Sequence, residues 1–409
     1  MADRFRIQNN LETLRDFSAP GEEGTTRLSY TPAYRQAVDY LKKEMEAAGL
    51  RTWEDGIGNV YGELKGTDET APVILSGSHL DTVRCSGYFD GQAGIVCALE
   101  AARMLKESGK PLRSSFKVLA TIMEEGARFP NLTGSRYIAG ENGEAQLDTL
   151  RDQDGVTLRE AIRQCGFSGN LEMTCRKADS IKAFLELHLE QGIRLESTHT
   201  DLGIVETIYG CRWFTVAVNG ATSHPSTPMN LRKDAGIAAC TLISELAALV
   251  EEHYPNRATV TFGKFENHPN EINAVPGRTV FSVDFRSGKP EILNELEALL
   301  KEKLKAMESR FRVKTELTLY SDVPPTPCCA EFSKILEEQA AALHFSTLRM
   351  DSGAGHDAMI FAKHWPAAMI FVPSHNGLTH CPKEWTDYGN LAKGADVLCA
   401  AIRQIDKLD

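Results

Sequence analysis

The sequence lacks the features that mark membrane, secreted and nucleic-acid-binding chains. No apolar run approaches the roughly 20 residues of a membrane helix, since even Val73 to Leu75 and Ala367 to Val372 are strand-sized. A membrane partner is therefore not expected. The ten cysteines, at 85, 97, 165, 175, 211, 240, 328, 329, 381 and 399, include no CxxC pair. That argues against a structural zinc site and against a dense disulfide framework, leaving reduced thiols as the expectation. Met1 to Pro20 has neither a basic start followed by an apolar core nor an Arg-rich, acid-poor character. With no secretory or transit signal visible, the cytoplasm is the expected location. Positive charge is in deficit: 45 Lys and Arg against 56 Asp and Glu give a net charge of −11. A polyanion held by counterion release is disfavoured, so nucleic acid is not an expected partner.

What is present describes a large globular chain. The 409 residues are 42% hydrophobic and 25% charged, which leaves little room for disorder and predicts two packed domains. Tyr34, Ala37, Val38, Leu41 and Met45 recur at helical spacing between Thr31 and Ala48, with Gly49 as a stop signal. Strands are predicted at Asn59 to Leu64, Val73 to Ser78 and Ser115 to Met123, with a helix from about Gln92 to Ser108. This alternation predicts an α/β fold with a mostly parallel central sheet, whose ligands collect beyond the carboxyl ends of the strands.

The pattern changes near residue 209. Strands are predicted at Arg212 to Asn219, Ala258 to Phe265, Thr279 to Arg286 and Arg312 to Tyr320, with helices at Lys233 to Glu252 and from about Pro290 to Ser309. The order βαββαβ is that of a ferredoxin-like domain, and the proline-rich segment Asp322 to Pro327 ends it. The α/β character then resumes with a helix at Glu331 to Ala342, a strand near Ala367 to Val372 and a helix from about Asn390. Residues 1–208 and 326–409 are thus predicted to form one domain, and 209–325 a second domain inserted into it.

Residues able to carry chemistry gather at the predicted strand ends. His79 and Asp81 share one strand face, where a carboxylate could orient an imidazole ligand; alone, an H-x-D triplet is more often incidental. Asp90, between glycines just before a helix, reads equally as an N-cap. Glu124 and Glu125 end a strand, so one could bind a metal while the other faces a water; a solvated acidic pair is the plainer alternative. His188 could be an ordinary core histidine, and His380 an exposed loop one. Taken together, three histidines and these acids are ligand types that a pair of zinc or manganese ions would take.

Six ordered motifs carry a family resemblance over nearly the whole chain. They are Gly77-Ser78-His79-Leu80-Asp81-Thr82-Val83, Phe89-Asp90-Gly91, Glu124-Glu125-Gly126-Ala127-Arg128-Phe129, Glu186-Leu187-His188-Leu189-Glu190-Gln191-Gly192, Ser352-Gly353-Ala354-Gly355-His356-Asp357-Ala358 and Asn376-Gly377-Leu378-Thr379-His380. The sequence resembles the metal-dependent M20 amidohydrolases and peptidases, and within them the allantoate amidohydrolase and N-carbamoyl-L-amino-acid hydrolase branch. The resemblance implies two divalent ions per subunit, Zn2+ or Mn2+. His79, Asp90 and His188 would bind one and Asp90, Glu125 and His380 the other, with Asp90 bridging. Histidine at 188, where peptidase and aminoacylase relatives usually carry an acid, favours the carbamoyl and allantoate branch.

It further implies that Glu124 is the base that moves a proton from water to the departing nitrogen, and that Asp81 holds His79. Arg286 would grip the carboxylate of a small ureido or carbamoyl substrate, with Asn273 beside it and Gln191 and His356 on the opposite wall; without the family, Arg286 reads as a solvated strand-end residue. His224 would cross a homodimer interface, formed by the inserted domain, to support the developing oxyanion. Its loop departs from the family pattern: Ser223-His224-Pro225-Ser226-Thr227-Pro228-Met229 is one residue shorter, and Pro225 biases His224 toward extended conformations. The implied substrate is allantoate, then an N-carbamoyl-L-amino acid, then a dipeptide or acylamino acid. A non-catalytic binding descendant is disfavoured, since the base and every ligand position are kept.

Overall fold

The computed structural model describes residues 1–174 and 180–408; Cys175, counted above, lies outside the described residues. The chain divides into two compact units. One comprises Met1–Glu206, Pro327–Met350 and His356–Asp409, the other Thr207–Thr326 and Asp351–Gly355. The short segment Asp351–Gly355 groups with the second unit although its sequence neighbours belong to the first.

A nine-stranded sheet forms the first unit, centred on Phe116–Thr121, Val73–His79, Ile181–Leu189 and Ala367–Val372 in that order, each parallel to the next. Val60–Leu64 and Arg51–Glu54 extend one edge antiparallel, and Leu202–Ile208 runs antiparallel beside Ala367–Val372. Parallel strands are covered on both faces and read as continuous apolar runs. Accordingly every residue of Phe116–Thr121 and of Ala367–Val372 is buried. Helices Gln92–Glu107 and Tyr388–Asp406 pack against this sheet and each other, burying Ile95, Val96, Leu99, Leu391, Leu398 and Ile402. Each fully buried aliphatic side chain of this kind stabilises the fold by about 1.5–3 kcal/mol, so the strand ends project from a rigid platform. The last helix starts at Tyr388, before the expected Asn390, because the Asp387 carboxylate caps Gly389 N.

In the second unit, Lys314–Val323, Gly210–Asn219 and Arg278–Ser287 pair antiparallel, and both Ala258–Thr261 and Phe265–His268 lie on the free side of Arg278–Ser287. Buried residues alternate along Arg278–Ser287, and Phe281, Val283 and Phe285 face helices Ala235–His253 and Pro290–Phe311 in one apolar cluster. The expected single strand Ala258 to Phe265 is broken in two. Thr261 faces Asp284 while Phe265 faces Phe281, so four steps oppose three and one extra residue bulges. The last strand starts at Lys314 because Arg312, at φ 55°, ends the preceding helix in a left-handed conformation. Among the described residues no helix is long and apolar enough to cross a membrane.

Candidate metal centre

The carboxyl ends of the four parallel strands supply the candidate ligands of the first unit. His79 is the last residue of Val73–His79 and His188 the penultimate residue of Ile181–Leu189; Glu124 and Glu125 follow Phe116–Thr121, and His380 follows Ala367–Val372. Asp90 sits in the loop entering helix Gln92–Glu107. Gly91 makes this approach possible. Its φ is +71°, and a Cβ there would lie 2.5 Å from Nδ1 of His79.

Two main-chain carbonyls fix the imidazole tautomers. Nδ1 of His79 donates to Asp81 O at 2.9 Å, and Nδ1 of His188 donates to Leu189 O at 3.0 Å. A carbonyl only accepts, so each neutral ring presents a bare Nε2. Those Nε2 atoms stand 3.6 and 3.1 Å from Oδ1 of Asp90. On the other side of the carboxylate, Nε2 of His380 stands 3.0 Å from Oδ2 and 3.4 Å from Oε2 of Glu125. The result is two groups, His79, Asp90, His188 and Asp90, Glu125, His380, in each of which one ligand atom per residue lies within 4.8 Å of the others.

This arrangement fits cations. A bare Nε2 facing a carboxylate oxygen at 3.1 Å sets two lone pairs against each other, which only a proton or a cation relieves. Asp90 Oδ1, Glu125 Oε1 and His188 Nε2 are buried without a hydrogen-bond partner, a costly state unless something positive binds them. Mixed nitrogen and carboxylate donors suit zinc and manganese alike. A third group, Glu186, His188 and His356, is also close. Glu186 is already used by the Ser78 hydroxyl at 2.7 Å and Ala358 N at 3.0 Å.

Without cations, protons balance the cluster. Burial opposes the ionisation of Asp90, but the facing imidazoles of His188, His380 and His79, when they carry a proton, outweigh it and hold its carboxyl well below the usual range. Burial would likewise lower His79, yet the charge of Glu124 and the nearby Asp90 carboxylate hold it well above the ordinary imidazole value. Asp90 pushes His380 up to about 9. Burial, then the charge of Asp90, pushes Glu125 up to about 7, and burial carries Glu124 well above its usual value. Cation uptake must expel these protons. Titrating metal-free protein with Mn2+ in weak buffer near neutrality should acidify the solution, and the apparent affinity should rise from about pH 6 to about pH 8. A pH-independent affinity without proton release would remove the histidines from the ligand set.

The remaining expected residues take these positions. The Asp81 carboxylate does not reach the His79 ring; it accepts from the main-chain N–H groups of Glu124 at 3.2 Å and Glu125 at 3.4 Å. It therefore orients the acidic pair, while its carbonyl orients His79. Gln191 donates from Nε2 to Asp90 Oδ2 at 3.2 Å. His356 is buried, its ring edge-on to His188 at 4.5 Å, and burial followed by the charge of His188 holds it well below the ordinary imidazole value. His224, Asn273 and Arg286 belong to the second unit. There, Ser226 N donates to Nδ1 of His224 at 3.2 Å, which leaves the proton of a neutral ring on Nε2 as a donor. Asn273 is an exposed turn residue. Arg286 is not a free cation: it lies 3.0 Å from the carboxylate of Asp284 and donates to Gly353 O at 3.2 Å. Two polar residues beside Asp90, Thr379 and Glu384, escaped the sequence reading. An acid in a polar loop reads as solvated, and only the fold reveals that Glu384 is 2% exposed.

The model of peptidase family M20/M25/M40 matches residues 75–404. The chain belongs to the M20 family. It is similar to the N-carbamoyl-L-amino-acid amidohydrolase of Paenarthrobacter aurescens, 39% identical over 99% of each chain. It is also similar to the allantoate amidohydrolase of Escherichia coli, 38% identical over 99% of each. A plant relative, the ureidoglycolate hydrolase of Arabidopsis thaliana, is 32% identical over 98% of this chain and 86% of its own. Among solved structures, an amidase of the hydantoinase/carbamoylase family from Burkholderia multivorans superposes with a TM-score of 0.92 at 29% identity, covering 99% of this chain and 98% of the other. M20 enzymes are metal-dependent, and this M20 chain is a hydrolase of carbon–nitrogen bonds in linear amides other than peptides.

Proposed function

We propose that this protein hydrolyses a ureido carbon–nitrogen bond of a small carboxylate, with allantoate as the leading substrate, releasing ammonia and CO2 and leaving ureidoglycine. An N-carbamoyl-L-amino acid is the close alternative, and ureidoglycolate offers the same two handles, a ureido group and a carboxylate. The observation that carries the reading is the division of Asp90's two oxygens between two ligand groups with Glu124 alongside, its Oε2 3.9 Å from His79 Nε2. His79, Asp90 and His188 would hold one Zn2+ or Mn2+, and Asp90, Glu125 and His380 a second. Such ions lower the pKa of a water and polarise a carbonyl oxygen.

Glu124 takes the proton of the attacking water and passes it to the departing nitrogen. Asp81 keeps Glu124 in place through its main-chain N–H. His224, with its proton on Nε2, has the donor that a developing oxyanion needs. Arg286 and Asn273 bind the substrate carboxylate, and Gln191 and His356 line the other side. In this reading, residues 209–325 are an inserted ferredoxin-like domain through which a cytoplasmic homodimer forms, and His224 serves its partner's site. A panel of allantoate, N-carbamoyl amino acids, ureidoglycolate and dipeptides, assayed with added manganese or zinc, tests the substrate class. Ammonia should appear from the ureido compounds; turnover of dipeptides alone overturns the reading.

Arg286→Ala should mainly raise KM, since its role is to bind a carboxylate that does not react. Arg286→Lys should recover only part of the loss, because a point charge replaces a planar fork. Neutral ester or amide analogues should bind wild type more weakly and the Ala variant no differently. If the variant still discriminates against the neutral analogue as wild type does, the carboxylate is bound elsewhere.

A further inference from the structure

We propose that Glu384 is a positioning residue that ties the Asp90 loop to the His380 loop and so sets the geometry of the shared ligand; the proposal rests on the two-cation reading above. Glu384 is buried, and among the described residues no Lys or Arg forms an ion pair with it. A carboxylate is not buried in this way at no cost, so its hydrogen bonds must be specific. Its Oε1 accepts from the main-chain N–H groups of Phe89 at 2.9 Å and Asp90 at 3.0 Å. Its Oε2 accepts from the hydroxyl of Thr379, the residue before His380, at 2.9 Å. One side chain thus grips the backbone that carries the shared ligand and the residue next to a ligand of the second group.

Two further contacts support this role. The Thr379 hydroxyl also lies 3.2 Å from Asp90 Oδ2, and its single proton can serve only one acceptor at a time. Thr379 thus stands between Glu384 and a ligand oxygen of Asp90, so the hold of Glu384 on Thr379 also bears on the shared ligand. Gly87 provides the space: a Cβ there would fall 2.3 Å from Glu384 Oε1 and 2.4 Å from its Cβ. Gly87 has no positive φ, so its lack of a side chain, not its backbone freedom, is what the site uses. The same loops also meet through Phe89 and Trp385, edge to face at 5.3 Å. That apolar contact does not involve the Glu384 carboxylate, so Glu384→Ala and Glu384→Gln leave both of its side chains unaltered.

The test is Mn2+ binding to metal-free full-length protein, followed calorimetrically, for wild type, Glu384→Ala, Glu384→Gln and Gly87→Ala. Wild type should take up two ions. Glu384→Ala should weaken the second by about 10–100-fold, the usual cost of losing a group that orients a ligand, and less so the first, which His79 and His188 also hold. Glu384→Gln should recover most of the affinity, since its amide oxygen can accept from Phe89 and Asp90 while its NH2 donates to Thr379. Gly87→Ala should reproduce the Ala defect by evicting the carboxylate, and the double variant Gly87→Ala, Glu384→Ala should be no worse than either. Wild-type affinities for both ions in Glu384→Ala overturn the proposal. So does a Gln variant as defective as Ala, which would make charge or bulk folding the cause. Should Glu384→Ala not fold, the contrast between Glu384→Gln and Gly87→Ala decides, equal affinities for these two overturning the proposal. A wild type that takes up fewer than two ions fails the underlying reading instead, and the two failures are told apart by that count.

Discussion

Glu124→Gln should lower kcat at least ~100-fold, the loss expected when a general base is removed, while metal content and folding stay intact. The amide keeps the shape of the side chain and its main-chain N–H bond to Asp81 but cannot take a proton. Metal content should persist because Glu124 belongs to neither ligand group. Stability should hold or rise. Burial raises the folded-state pKa of Glu124, so ionising it above its ordinary range costs folding free energy, which a neutral amide avoids. Metal analysis, thermal melting and turnover on one preparation check the three expectations. A variant with full metal and near-normal kcat would show that another group moves the proton.

The strand ends that carry the candidate ligands were legible because they depend on local pattern, whereas the two ligand sets came from the family resemblance. Apolar runs such as Ala367–Val372, whose bounds match the expected strand, locate the strand ends, and parallel sheets collect chemistry there. Features decided by tertiary contact were not legible. Nothing in Gly77-Ser78-His79-Leu80-Asp81 tells that the Asp81 carbonyl, not its carboxylate, meets the imidazole. That outcome depends on the turn at Met123, whose φ of 62° helps bring the N–H groups of Glu124 and Glu125 to the carboxylate. Arg286 lies two residues from Asp284 on one strand face, so their pairing was available from strand periodicity. Glu384 was hidden for a different reason. Burial of a loop acid requires donors from a segment nearly three hundred residues away in sequence, here Phe89 and Asp90. The break at residues 262–264 is likewise set by pairing with Arg278–Ser287 and by no local signal except Gly263.

Asp90→Asn should have the largest effect of any single substitution, because Asp90 is the only residue in both ligand groups. An amide has one oxygen and one NH2. Whichever way it turns, one group gains an N–H where it needs a lone pair, so at least one ion should be lost. The contribution of a cation to transition-state charge is several kcal/mol, and its loss corresponds to at least ~10³-fold in rate. His380→Ala is the control, expected to lose one ion while His79, Asp90 and His188 keep the other. The metal-free protein should also lose stability in Asp90→Asn. The Asp90 carboxyl is held well below its usual range by three histidines, so its ionised form stabilises the fold above the ordinary carboxylate pKa, and that contribution fades only in strong acid. At neutral pH the melting temperature of metal-free Asp90→Asn should therefore fall below that of metal-free wild type, and the gap should close as the pH drops through the depressed range. Two tightly bound ions and substantial turnover in this variant would mean that Asp90 does not bridge, and that the two ligand groups must be redrawn around other residues.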